Sequence, residues 1–271
     1  MNSKYEPYNT NDFYEILIAM NHFQYDSTVE KLKFEYLFDD DNLKKLRKDY
    51  RLDEIAGTGN SFKKMVTLMT WVNDTLIGDG NCYPMRPLNA LNALDLTKRE
   101  EALSNCYVYS VVLNEVFLSM GYYSRMVRCM PIDLFFQDCH CVTVAYVDDY
   151  KKWVVFDAPN RAYYLNRQMI PMDIMTFREF LIKNEPVYIP KASRDFIQNI
   201  CDYWIKNMIR FECSAVSCFG AEDMANKIIC CLQPLTIPVS DKIIEGNNHR
   251  TEYIHTHNPS VFWEMPKESG N

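Results

Sequence analysis

Glycine is scarce in this chain, with 8 in 271 residues, and 12 prolines do little to offset it. That scarcity excludes long low-complexity or linker-like tracts. No cluster of lysines and arginines stands against the formal net charge of −7, so the charge pattern of a nucleic-acid binder is missing. The apolar run in Glu15-Ile-Leu-Ile-Ala-Met is far too short to span a bilayer, and residues 1–8 lack the apolar centre of a secretory signal. A cytoplasmic location is expected, with neither membrane nor nucleic acid as partner. Ten cysteines are present, and the vicinal Cys230-Cys231 and the triplet Cys139-His-Cys141 fit no zinc-finger spacing. Thiols serving as small hydrophobes are expected, with no metal and no cofactor.

What is present is apolar bulk. The chain is 48% hydrophobic and 14% aromatic, enough to fill a substantial core. Residues 10–60 read as helical and acidic, with Asp12 as a cap candidate and Asp39-Asp-Asp as a loop or helix start. Phe62, Met65, Val66, Met69, Val72 and Leu76 recur at helical spacing behind Ser61, a second cap candidate. From Gly78 a turn-rich connection runs through Pro84 and Pro87. Residues 104–120 are apolar nearly all round, as in a helix covered on most faces. Ser104 can cap its start, and Gly121 supplies a left-handed residue past its end. Strands are expected at 123–130, 140–147 and 152–157, with Asp148-Asp-Tyr-Lys turning between the last two. Helices are expected at 176–184 and 193–211, then short strands and loops from Cys213 onward.

Three residues carry chemistry. Cys106 falls in the first turn of the apolar helix, where unsatisfied N–H groups and a partial positive charge favour a thiolate. His140 opens one strand and Asp157 closes the next. With Asp149 and Tyr150 as a two-residue turn, paired residues have numbers summing to 299, so Asp157 lies opposite Val142 and His140 opposite Pro159. The side-chain period of two then puts His140 and Asp157 on one face as diagonal neighbours, about 7–8 Å apart between the backbones of the two strands. The carboxylate can accept a hydrogen bond from one imidazole nitrogen and leave the other facing Cys106. Singly, each residue has a duller reading: a packed thiol, a core histidine, a strand-ending aspartate. Type, order, helix-then-hairpin placement and shared face together favour nucleophilic catalysis. His255-Thr-His257, by contrast, has no acidic or cysteine partner at ligand spacing and reads as an exposed strand.

At these residues the chain resembles the transglutaminase-like superfamily, a branch of the papain-like thiol enzymes. Cys106-Tyr-Val-Tyr-Ser-Val-Val-Leu through Gly121-Tyr-Tyr-Ser-Arg-Met-Val is similar to its nucleophile helix and following strand. His140-Cys-Val-Thr-Val-Ala-Tyr and Lys152-Trp-Val-Val-Phe-Asp-Ala-Pro are similar to the next two blocks, and Lys64-Met-Val-Thr-Leu-Met-Thr-Trp-Val-Asn-Asp to the helix that opens the core. The resemblance covers about residues 60–180, a catalytic core within one domain of 1–271; flanks 1–59 and 181–271 match nothing. It implies an α+β, papain-like fold: a nucleophile helix packed on an antiparallel sheet, beside a helical amino-terminal flank. It implies a triad of Cys106, His140 and Asp157 and acyl transfer from an amide through a thioester. The chain departs from the pattern before the cysteine, where Gly-x is usual and Ser104-Asn105 stands here. The expected activity is hydrolysis of a peptide or amide bond in a peptide or protein substrate. Acyl transfer to an amine and an inactive peptide-binding module are the alternatives. No signature marks a second oxyanion donor beside the backbone N–H of Cys106.

Overall fold

Three strands buried on both faces organise the molecule. The computed structural model describes residues 10–25, 32–132, 138–238, 242–246 and 249–266; the stretch 1–8 read above for a secretory signal lies outside them. In chain order they form α1 (Thr10–Ala19), β1 (Glu35–Tyr36), α2 (Asp41–Asp49), α3 (Leu52–Ala56), α4 (Ser61–Thr75), β2 (Ile77–Gly78), α5 (Ala90–Glu100), β3 (Leu103–Ser104), α6 (Cys106–Ser119), β4 (Ser124–Met130), β5 (His140–Val147) and β6 (Lys152–Phe156). Then come α7 (Ile174–Ile182), α8 (Arg194–Asn207), β7 (Arg210–Ser214), β8 (Val216–Ser217), β9 (Asn226–Leu232), β10 (Lys242–Gly246), β11 (His249–Thr256) and α9 (Pro259–Phe262).

A seven-stranded sheet runs in the order β10-β11-β9-β7-β4-β5-β6 and is antiparallel except where β11 meets β9. Successive side chains of a strand point to opposite faces. Val142 and Val144 of β5, with Val127 of β4 and Trp153 and Val155 of β6, pack beneath α1, α7 and α8. Cys141, Ala145 and Val147, with Met126, Val154 and Phe156, pack beneath α2 to α6. Burial on both faces explains why β5 reads as a continuous apolar run rather than an alternation. The fold is α+β, with α6 packed on a mostly antiparallel sheet. No helix among the described residues is long and apolar enough to cross a membrane.

The expected strands match within a residue at each end, and the hairpin register is the expected one: Thr143 pairs with Phe156 and Val147 with Lys152. The connecting loop is Asp148 to Lys151, four residues rather than two, which preserves the same sum. Gly121, at φ +81°, ends α6 as expected, and Asp40 caps α2 through Asn42 N at 2.7 Å.

Several caps differ from expectation. Helix α1 begins at Thr10, so Asp12 lies in its first turn rather than capping it. Asn60, not Ser61, caps α4; Ser61 is the first helical residue, and its hydroxyl donates to Asp149 instead. Asn105, not Ser104, caps α6, because Ser104 is held in β3 against β2. The turn-rich stretch after Gly78 contains α5, capped by Asn89. The helix expected over 193–211 ends at Asn207, since residues from Arg210 pair with β4 and β9 instead.

Candidate active site

The first residue of α6 is Cys106. Its helix is pinned by Asn105, whose side-chain oxygen accepts from Val108 N at 3.2 Å while its amide donates to the Cys82 carbonyl at 3.0 Å. One side chain thus orders both the helix end and the segment facing it. Across from Cys106, β5 begins at His140, and the sulfur lies 3.8 Å from the Cys139 carbonyl oxygen. His140 and Cys141 line the cleft beside it, and both act on the charge of the thiol.

His140 Nε2 donates to Asp157 Oδ2 at 3.0 Å, both side chains being almost wholly buried. Nδ1 is left as the nitrogen available to Cys106. Just past β6, Asp157 and Ala162 exchange two backbone hydrogen bonds, at 2.8 and 3.0 Å, which fold the chain sharply back. That turn returns two further donors to the same carboxylate oxygen: Asn160 Nδ2 at 3.0 Å and the Tyr164 hydroxyl at 2.5 Å. Oδ1 of Asp157 is buried with no hydrogen-bond partner among the described residues. Trp204 and Tyr203 of α8 set ring edges against His140, with centroids 4.8 and 5.3 Å away.

The electrostatics follow from these contacts. A hydrogen bond from the Cys141 thiol does most to bring the Cys106 thiol down to about 5; burial opposes it, and the bond to His140 and the imidazolium charge reinforce it. Burial alone would lower His140, but the charge and hydrogen bond of Asp157, with help from the thiolate, raise it to about 10. Burial likewise works against the ionised form of Asp157, and His140, Tyr164 and Asn160 overcome it, leaving that carboxyl below its ordinary value. Between those limits the site holds a thiolate beside an imidazolium.

Cys106 and the edge of His140 line one side of a cleft of about 1020 Å³, with Asp157 buried behind them. Its walls are the segment from Gly78 to Pro84 and the α8 side chains Phe196, Ile200 and Tyr203. Cys106 is half-buried, so the sulfur is reached from the cleft while His140 and Asp157 are shielded behind it. Tyr107 and Arg128 line the same cleft and both bind Glu222, the arginine at 2.6 Å. His257, away from the cleft, uses Nδ1 to contact the Gln233 carbonyl at 2.9 Å; it lies just past the end of β11 and is half-buried rather than exposed.

The structure therefore brings together the three residues singled out from sequence. Sequence reasoning missed Asn160, Tyr164, Cys141 and the two aromatic residues of α8. A trace of the first was present: Pro159-Asn160 after a strand is a turn, and the residues after it must double back.

No family model matches the sequence, and no curated protein matches it. Among solved structures the chain is similar to one described as "a Putative Cysteine Protease from Cytophaga hutchinsonii", with 18% identity and a TM-score of 0.34. The match covers 44% of this chain and 37% of that one. A likeness of that size carries no argument about activity.

Proposed function

We propose that the protein is a cysteine-dependent hydrolase of a peptide or amide bond, of the papain-like, transglutaminase-like kind. The observation that carries this reading is the line of contacts from the Cys106 sulfur through the His140 ring to Asp157 Oδ2, which opens to solvent only at the sulfur. A thiolate attacks the substrate carbonyl, and the backbone N–H groups at the start of α6 face the developing oxyanion. The imidazolium then gives its Nδ1 proton to the leaving amine, and a thioester remains on Cys106. Neutral Nδ1 next takes a proton from water, hydroxide adds to the thioester, and the acid leaves as the thiolate is regenerated. Throughout, Asp157 keeps Nε2 protonated. The open cleft admits water to the thioester, which favours hydrolysis over transfer to an amine.

The test is a fluorogenic peptide-amide library turned over by the native chain and by Cys106→Ala. Release by the native protein, lost in a variant that unfolds at the same temperature, supports the proposal. Equal release by both contradicts it.

A further inference from the structure

We propose that Tyr164 is a positioning residue whose hydroxyl, oriented by Trp204, fixes the direction of every hydrogen bond that leads to Cys106. The inference rests on the hydrolase reading of the site and adds to it the group that sets its charge state.

One group in this network has no choice of role. An indole nitrogen only donates. Trp204 Nε1 lies 2.7 Å from the Tyr164 oxygen, so that oxygen accepts there. The phenol has one hydrogen of its own, and its other close polar neighbour is Asp157 Oδ2. The hydrogen therefore goes to Asp157, and the carboxylate can only accept. Asn160 Nδ2 donates to the same oxygen. An oxygen that already accepts from a phenol and an amide is poorly placed to carry a proton itself, so His140 must be the donor across the 3.0 Å contact. With Nε2 committed, Nδ1 is the nitrogen that exchanges a proton with the Cys106 sulfur. Reversing any one hydrogen would place two donors, or two acceptors, face to face inside a dry core.

Packing holds this chain in register. The Tyr164 ring stacks on Phe177 at 4.1 Å between centroids, nearly parallel at 10°, and meets the edge of Trp204 at 5.8 Å. Tyr164 is fully buried, as is Trp204. The hydroxyl thus has neither water nor ring freedom with which to find another partner. Trp204 also sits against the His140 ring, so one tryptophan sets both the orientation of the imidazole and the polarity of the chain behind it.

The experiment measures alkylation of Cys106 by iodoacetamide from pH 4 to pH 10, resolved by peptide mass spectrometry, in the native chain and in Tyr164→Phe. Thermal unfolding of both proteins serves as the control. Without that donor the carboxylate is free to turn away from Nε2, which weakens the imidazolium and so the thiolate. The midpoint in Tyr164→Phe is expected to move up by roughly 0.5–1 pH unit, part of what a hydrogen bond to a charged group is worth. On any substrate found, kcat falls about tenfold with KM unchanged. An unmoved midpoint in a folded variant overturns the proposal while leaving the hydrolase reading intact. A native midpoint near the ordinary 9 overturns the hydrolase reading instead. Nitrogen-15 NMR of the native imidazole is independent of how the variant folds. A protonated Nε2 on His140 supports the proposal, and a bare Nε2 overturns it.

Discussion

His140 and Asp157 meet at 3.0 Å although neither is a rung of the β5–β6 ladder. That ladder stops at Thr143 and Phe156, and both residues lie beyond it. Their contact depends on a shared sheet face and on the return turn that closes between Asp157 and Ala162. Backbone hydrogen bonding thus places the carboxylate, and the side chains only complete the contact.

Replacing Asp157 by asparagine keeps the volume but puts an amide where an anion accepts several donors. Turnover of a cleaved amide is expected to fall by about 10³–10⁴-fold, in line with loss of a triad carboxylate. The alkylation midpoint of Cys106 should rise in the same variant. Steady-state kinetics beside circular dichroism check both. Activity within a few-fold of the native chain would show that Asp157 only fills space.

Glu115 offers a prediction about stability rather than activity. It is buried within α6, accepts from Ala90 N at 2.6 Å and Gly220 N at 2.9 Å, and burial pushes its carboxyl up to about 8. A carboxyl that holds its proton more tightly when folded contributes stability fully below its unfolded pKa, near 4.5, and loses that contribution as pH rises through about 8. Urea unfolding should therefore show stability falling between pH 5 and pH 8, by an amount on the order of a few kcal/mol. Glu115→Gln cannot ionise, so the native chain should lose stability relative to that variant as pH rises from 5 to 8. A difference constant with pH would contradict the assignment.

Asn105 separates capping from chemistry. Asn105→Ala loses the cap of α6 and the tie to Cys82, at a cost of about 0.5–2 kcal/mol. Asn105→Asp keeps a capping oxygen but adds a negative charge beside the thiolate. It loses the tie to Cys82 but keeps the cap, so its stability should fall less than that of Asn105→Ala while the Cys106 midpoint moves up. Melting temperatures and alkylation rates, measured on both variants, check the separation.

Much of the hairpin was legible before any coordinates. Residues 140–147 and 152–156 are dense in β-branched and aromatic side chains, and because both sheet faces are buried it is the turn at Asp148 to Lys151 that sets the register. Cys106 was legible because an apolar helix must begin somewhere, and polar Ser104-Asn105 marks the place. Of those two, the side chain free to turn back onto the helix N–H groups became the cap. Helix α5 was hidden because its buried face consists largely of Ala90, Ala93 and Leu94, which give little contrast against a polar surround. Helix α8 was read too long because Met208 and Ile209 continue its periodicity. Strand pairing at Arg210 to Ser214, a contact distant in sequence, decides where it stops. Trp204 and Tyr164 stand 40 residues apart. No local pattern announces such a meeting, and the part of the site least visible in sequence is the support behind Asp157.

The Cys141 thiol and the His140 imidazolium hold Cys106 in a thiolate state at neutral pH. The most direct measurement of that state is the rate at which iodoacetamide alkylates Cys106 in the native chain as pH is varied, read by peptide mass spectrometry. The expected midpoint is near 5, with full reactivity already at pH 6 to 7. A midpoint near 9, the ordinary value for a thiol, would contradict it.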